Sequence, residues 1–266
     1  GRPPPSFGQT TRRGFLDPHL MTDGRQRWRV FVAREEEARH LPHRDVAAAW
    51  EAGLSDSGLP LVSTEGRDPQ PRVVFAAPVP VGMLAEREPL DIWLLERRRI
   101  DIVRPALETA APDGLRVIDL HDVWIGAPSL PASVTAGDYR VRAVPGGARG
   151  AAPIDRPRVD AAVAALLAEL RIERRREKGG GSVAVDIRPQ ILDLATDAVT
   201  ATDTVTAAAT AAAPNSAISL SMRLLLGGER GVGRPDEVVA ALADLLGVEL
   251  AIDVIVRLRV VLSDDG

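Results

Sequence analysis

Cysteine is absent from the 266 residues of this chain. Disulfides, thiolate zinc sites and iron–sulfur ligation through a Cys-x-x-x-Cys-x-x-Cys spacing are therefore excluded within it. Aromatic residues make up only 3% of the sequence, with one tyrosine, which weighs against recognition of bases on an RNP-type sheet face. No apolar run approaches the ~18 residues of a membrane span, and no charged-then-apolar leader resembles a secretory signal. A cytoplasmic protein with no membrane partner is expected. Lysine is nearly missing: Lys178 stands alone, and arginine carries the remaining basic charge. With abundant alanine and a lone asparagine, that skew fits a GC-rich genome better than selection for phosphate forks. The net charge of −4 does not draw the chain to nucleic acid as a whole, so such binding needs a local basic stripe. Neither a Walker loop nor a nucleophile elbow is present, because Gly227-Gly228-Glu229-Arg230-Gly231-Val232-Gly233 lacks the Lys-Ser/Thr ending and reads as a loop.

What is present is enough apolar content, 45%, for one large core or two ordinary ones, and two are expected. Residues 1–25 are rich in Pro, Gly and Arg without an apolar period, so they read as disordered, with Met21 a candidate translation start just before the first strand. From Arg27, alternation in RWRVFVAR places Trp28, Val30 and Val32 on one strand face. His43 to Leu54 reads as a helix stopped by Gly58-Leu59-Pro60. Strands follow at Arg72 to Pro80 and Pro89 to Arg97, a helix at Ile102 to Ala110, and a strand at Leu115 to Val123. The order β-α-β-β-α-β matches two split βαβ units in one antiparallel sheet, the ferredoxin-like arrangement.

After a Pro-punctuated linker, 127–137, the series repeats with a strand at Asp138 to Val144 and a helix at Arg158 to Leu170. Next come a hairpin, Ile172 to Glu177 and Ser182 to Ile191, a strand at Ile218 to Leu226, a helix at Pro235 to Leu246 and a strand at Asp253 to Leu262. The expected fold is thus α+β, two tandem ferredoxin-like domains at 26–126 and 138–266 with antiparallel sheets. The second carries an extra strand and a low-complexity insertion at 195–214, read as a flexible excursion. All four tryptophans, Trp28, Trp50, Trp93 and Trp124, fall at apolar phase and are expected in the core.

The stretch from Leu41 to Gly82 joins a helix, a rigid Gly/Pro loop and an apolar strand. Gly66, Pro69 and Pro71 stiffen EGRDPQPR, since glycine admits positive φ while each proline fixes its own φ and biases its predecessor toward extended geometry. This stretch resembles the radical SAM-linked proteins, a domain family fused to or encoded near radical SAM enzymes. Leu41-Pro42-His43-Arg44-Asp45 stands where that family has Leu-Ser-His-Leu-Asp. Leu59-Pro60 and Ser63-Thr64-Glu65-Gly66-Arg67-Asp68-Pro69-Gln70-Pro71-Arg72 match its Leu-Pro and Ser-x-Gly-Phe-x-Pro-His-Pro-Arg loop, and Glu88-Pro89-Leu90-Asp91 matches its Glu-Tyr-x-Asp. Weaker similarity continues through Ala127-Pro128-Ser129-Leu130, Tyr139-Arg140-Val141, Val185-Asp186-Ile187-Arg188-Pro189 and Arg234-Pro235-Asp236-Glu237-Val238. Arg67 replaces the loop Phe, Gln70 the loop His and Pro42 the helix-start Ser, so an aromatic platform and an ionisable ring are missing.

Each candidate site has a bland counterpart. His43 and Asp45 at the first helix start suit anion binding or acid–base work, or merely a solvated helix end where Asp45 favours the positive terminus. Arg67 and Arg72 in the rigid loop suit phosphate contacts, or a connector with solvated arginines. Arg174, Arg176 and Lys178 share one strand face and suit an RNA backbone, or charge protection of a sheet edge. His40, His43, His121 and Asp122 complete no metal spacing, so neither metal nor cofactor is expected. The resemblance and the missing cysteines together imply a non-catalytic accessory of a separate radical SAM enzyme that binds or presents RNA. The alternatives are an RNA-processing or RNA-modifying enzyme using His43 or Asp45, and a protein-interaction module without RNA contact.

Overall fold

The computed structural model describes residues 24–146, 154–197 and 217–263. The expected disorder of 1–25 therefore falls, up to residue 23, outside the described residues, as does most of the 195–214 insertion, from residue 198 onward. Strand alternation sets the first half. β1 (Gln26–Arg34) pairs antiparallel with both β3 (Leu84–Leu94) and β4 (Leu115–Val123), and β2 (Val73–Phe75) pairs antiparallel with β3. The order β4-β1-β3-β2 has α1 (His43–Ser55) between β1 and β2 and α2 (Ile100–Ala110) between β3 and β4. Trp28, Val30, Val32, Leu90, Ile92 and Leu94 meet Val46, Trp50 and Leu54 of α1 and Val103 and Leu107 of α2 in one core. Close approach of the two helices needs Gly53, where a Cβ would stand 2.1 Å from the Ala110 carbonyl oxygen.

The second half repeats that order. β5 (Val134–Pro145), β8 (Ile191–Thr196), β9 (Ile218–Leu225) and β10 (Leu250–Leu262) lie as β10-β5-β9-β8, with α4 (Arg156–Ala168) and α5 (Pro235–Leu246) packed on Val141, Leu220, Leu224 and their neighbours. A short helix α3 (Leu130–Ser133) stands in the connector, and its Leu130 packs with Ala76, Val260 and Leu262. The halves share one eight-stranded sheet, because β10 pairs in parallel with β3 through Val256 and Leu84 and through Arg257 and Ala85. The chain is thus a mixed α+β protein with a mostly antiparallel sheet. The buried Arg257–Glu88 ion pair crosses this seam on the side that carries the helices, so both helix pairs cover one face.

Three sequence expectations need correction. The strand expected from Arg72 to Pro80 is only three residues long, because Pro78 and Pro80 lack the N–H that a ladder requires and lie in the following loop. The strand expected from Ser182 to Ile191 is broken by a 3-10 turn at Arg188–Gln190 around Pro189. As a result β6 (Glu173–Lys178) and β7 (Gly181–Asp186) form a separate two-stranded ribbon, and β8 alone joins the main sheet. Trp124 is 75% exposed, because it sits in the turn beyond β4 with its ring folded over Gly126, where a Cβ would meet it at 2.6 Å. Trp28 and Trp50 are in the core as expected, whereas Trp93 is only partly buried on the opposite sheet face.

A candidate nucleic-acid interface

The face turned away from the helices follows from alternation alone. On β1 the residues between Trp28, Val30 and Val32 are Arg27, Arg29 and Phe31; on β3 they are Asp91 and Trp93; β4 adds Asp119 and His121. The register sets Arg29 opposite both Asp91 and His121, and Arg27 opposite Trp93. At the centre, Asp91 is fully buried and accepts hydrogen bonds from Arg27 Nε (2.9 Å) and Arg29 Nε (3.0 Å). Arg27 also donates to the carbonyls of Ala127 and Pro128 at 2.9 Å, which fastens the connector to the end of the face. The central cations are thus spent on structure.

The rings around that centre carry arginines less buried than Arg27 and Arg29. The Arg87 guanidinium lies 3.9 Å from the Phe31 ring centroid, and the His121 ring meets Phe31 edge-on at 5.1 Å. Arg72 lies 4.4 Å over Trp93. Each exposed stack of this kind contributes only ~0.5–1 kcal/mol, so the ring by itself holds its arginine weakly. Arg87 also donates to Asp119 at 3.0 Å. Burial raises the Asp119 pKa, but hydrogen bonds from Arg87, the Leu120 amide and His121 outweigh it and hold the carboxyl below its ordinary value. Across the seam the pattern continues with arginine–aspartate pairs: Asp138 accepts from Arg223 Nε (2.6 Å) and Arg259 Nε (2.8 Å). The Arg223 bond chiefly keeps the Asp138 carboxyl low.

The residues singled out from sequence are scattered by comparison. Arg72 belongs to the face. Arg67 occupies the exposed tip of the Glu65–Arg72 loop, whose base is closed by the Thr64 amide donating to Gln70 O (2.8 Å) and the Arg72 amide to Val62 O (2.8 Å). His43 starts α1 on the helical side, half-buried, with its ring edge-on to Phe75 at 4.9 Å. Burial, then the charges of Arg34 and Arg257, push its pKa down, so it is neutral at pH 7. Asp45 is exposed and paired with Arg44. Arg174 and Arg176 reach from β6 to α5: Arg174 donates to Asp244 (2.8 Å), and Arg176 to both Glu237 oxygens (2.6 and 2.5 Å) and to Val232 O (2.9 Å). The Lys178 side chain lies outside the described part of the structure. Among the described residues, no group of three or more His, Asp or Glu side chains is placed to hold a metal ion.

Phe31, Arg87, Trp93 and Trp124 lie outside the candidate residues that the sequence singles out. The signal lies in the alternation: Phe31 and Trp93 are apolar rings at the phase opposite to the core, where a polar residue is expected.

Fold and face together define a mixed α+β protein whose sheet is helical on one side and carries arginine-stacked rings on the other. The chain belongs to the family described as uncharacterized protein conserved in bacteria (DUF2344), whose model matches residues 27–220. No curated protein matches it. Among solved structures, it is similar to a Cbf5–Nop10–Gar1 complex, with a TM-score of 0.45 and 9% identity over 85% of this chain and 47% of that chain. It is also similar to an archaeal box H/ACA sRNP Nop10–Cbf5 complex, with a TM-score of 0.43 and 8% identity over 87% of this chain and 48% of that one. An H/ACA RNP bound to a substrate RNA containing 2'-deoxyuridine gives a TM-score of 0.43 and 8% identity over 86% and 47%. The chain spans about half the length of these solved chains.

Proposed function

We propose that this protein binds single-stranded RNA along the helix-free face of its sheet and presents it to a separate radical SAM enzyme, without performing the chemistry itself. In this reading residues 26–126 and 138–266 are two ferredoxin-like units, the segment 127–137 between them ending in the first four residues of β5, and the strand order found twice supports it. The observation that carries the RNA reading is the pair of rings on that face, Phe31 and Trp93, each under an arginine, with Trp124 a further ring exposed in the turn beyond β4. Rings stack on bases regardless of sequence, and arginines displaced from them meet the phosphates between. The accessory role rests on the resemblance of the Leu41 to Gly82 stretch and on a chain without cysteine.

Fluorescence anisotropy with a labelled single-stranded RNA tests the face. Stacking contributes ~1–3 kcal/mol per base, so Phe31→Ala, Trp93→Ala and Trp124→Ala are each expected to weaken binding by ~5- to 150-fold. Arg87→Ala is expected to flatten the dependence of log K on log salt by ~0.7 if it meets one phosphate. RNA affinity unchanged in all three ring variants, or no binding at low salt, refutes the reading. Affinity capture from the native cell checks the second part: absence of any radical SAM protein removes the accessory role and leaves RNA binding to stand alone.

A further inference from the structure

On the helical side, where the two halves meet, lies a cleft of about 500 Å³, within the range of small-molecule sites. Its floor is Tyr139, Ile255 and Arg257; one wall comes from residues 78–83 and the other from residues 226–236. Both walls are pinned by side chains that donate to backbone carbonyls. Arg34 Nη1 holds Val79 O at 3.0 Å, Arg257 Nη2 holds Ala77 O at 3.0 Å and Arg39 Nε holds Gly82 O at 2.9 Å. On the other side Gln190 Nε2 holds Arg230 O and Arg176 Nη2 holds Val232 O, both at 2.9 Å. Positive φ at Gly228 and Gly231 gives that loop its shape. A gap lined by Pro78, Pro80, Met83 and Val232 would close under the hydrophobic effect if its walls were free. These bonds keep it open, which marks a preformed site.

We propose that the cleft binds a nucleoside, with its base between the proline wall and Val232. Flat apolar walls select a ring, and the polar groups select one with both acceptors and donors. Tyr139, 2% exposed, lines the cleft beside Arg257, its partner across β5 and β10, and keeps its O–H to donate to a base oxygen or nitrogen. Burial raises its pKa, so the proton stays in place at neutral pH. Asp236 at the rim supplies a carboxylate for an exocyclic amine or a ribose hydroxyl. The nucleoside has two sources, a free molecule or a base extruded from a bound RNA strand. The inference stands on the cleft alone and survives failure of the sheet-face reading.

Calorimetric titration of the full chain with adenosine, guanosine, cytidine and uridine, together with RNA carrying a fluorescent aminopurine base, separates the sources. Saturable binding of a nucleoside identifies a free ligand; an aminopurine signal without it identifies an extruded base. In either case Val232→Trp, which fills the cleft from a position 42% exposed, is expected to abolish the signal. Tyr139→Phe, which removes only the hydroxyl, is expected to weaken it about 2- to 10-fold. Thermal melts of both variants confirm folding. No nucleoside binding together with no aminopurine signal, or a signal unchanged in folded Val232→Trp, overturns the proposal. Phe31→Ala and Trp93→Ala lie outside the cleft, so their failure in RNA binding reports on the sheet face alone.

Discussion

Replacing Arg257 with alanine is expected to cost the fold ~3–5 kcal/mol, the usual penalty for stranding one half of a buried ion pair. Arg257 is 1% exposed on β10, paired with Ala85 of β3 at the seam between the halves. Its guanidinium holds both Glu88 oxygens, at 2.6 and 2.5 Å, and donates to Ala77 O at 3.0 Å. Desolvation works against its charge, but the field of Glu88 and the hydrogen bond to it outweigh that and raise its pKa, so the cation persists at every accessible pH. Alanine leaves the Glu88 side chain, 9% exposed, without its counter-charge and frees the loop over the cleft. Against a typical domain stability of ~5–15 kcal/mol the loss is large. Urea unfolding followed by circular dichroism measures it, with Glu88→Ala and the double variant Arg257→Met/Glu88→Leu alongside. Both single variants should be costly, and the apolar pair should recover most of the loss because neither member of the pair is left without the other. A cost below ~1 kcal/mol for Arg257→Ala refutes the argument. A double variant as unstable as the singles refutes it in another way, by showing that shape rather than charge holds the seam.

Other consequences are more local. Because the His43 pKa is depressed in the folded state, stability from this group is complete above the ordinary histidine value of ~6.5 and falls as pH drops through it toward the folded value. His43→Gln should flatten that decline in unfolding free energy between about pH 7.5 and 5, and an unchanged slope counts against the burial of the ring. Gly53→Ala places a methyl 2.1 Å from the Ala110 carbonyl oxygen and should cost at least ~1–3 kcal/mol in a thermal melt, since only separation of α1 and α2 relieves it; an unaltered melt contradicts that packing. Arg176→Ala should speed amide exchange in the β6–β7 ribbon while β8 and β9 stay protected, because its bonds to Glu237 and Val232 O dock the ribbon on α5. Exchange unchanged in residues 173–186 would mean that Arg174 alone suffices.

Local pattern determined a good deal. Alternation in RWRVFVAR placed β1 and its buried face, helical spacing from His43 placed α1, and the Pro-Asp-Glu start placed α5. These signals are carried by neighbours in the chain, so they are readable without knowing what lies across the fold. The same alternation held Phe31 and Trp93 at the phase opposite to the core, but it could not say that helices would leave that phase uncovered.

Only the tertiary structure decided which arginines are available. Arg174 and Arg176 resemble a basic stripe in sequence, yet their partners Asp244 and Glu237 lie some 60 to 70 residues away on α5. Arg87, inconspicuous in sequence, comes to rest on Phe31 because β1 and β3 are neighbours. The joining of two repeated strand orders into one sheet through β3 and β10, and the cleft beside that seam, depend likewise on contacts between distant segments. Such contacts have no period along the chain, and this is why the elements could be read from the sequence while the face and the cleft could not.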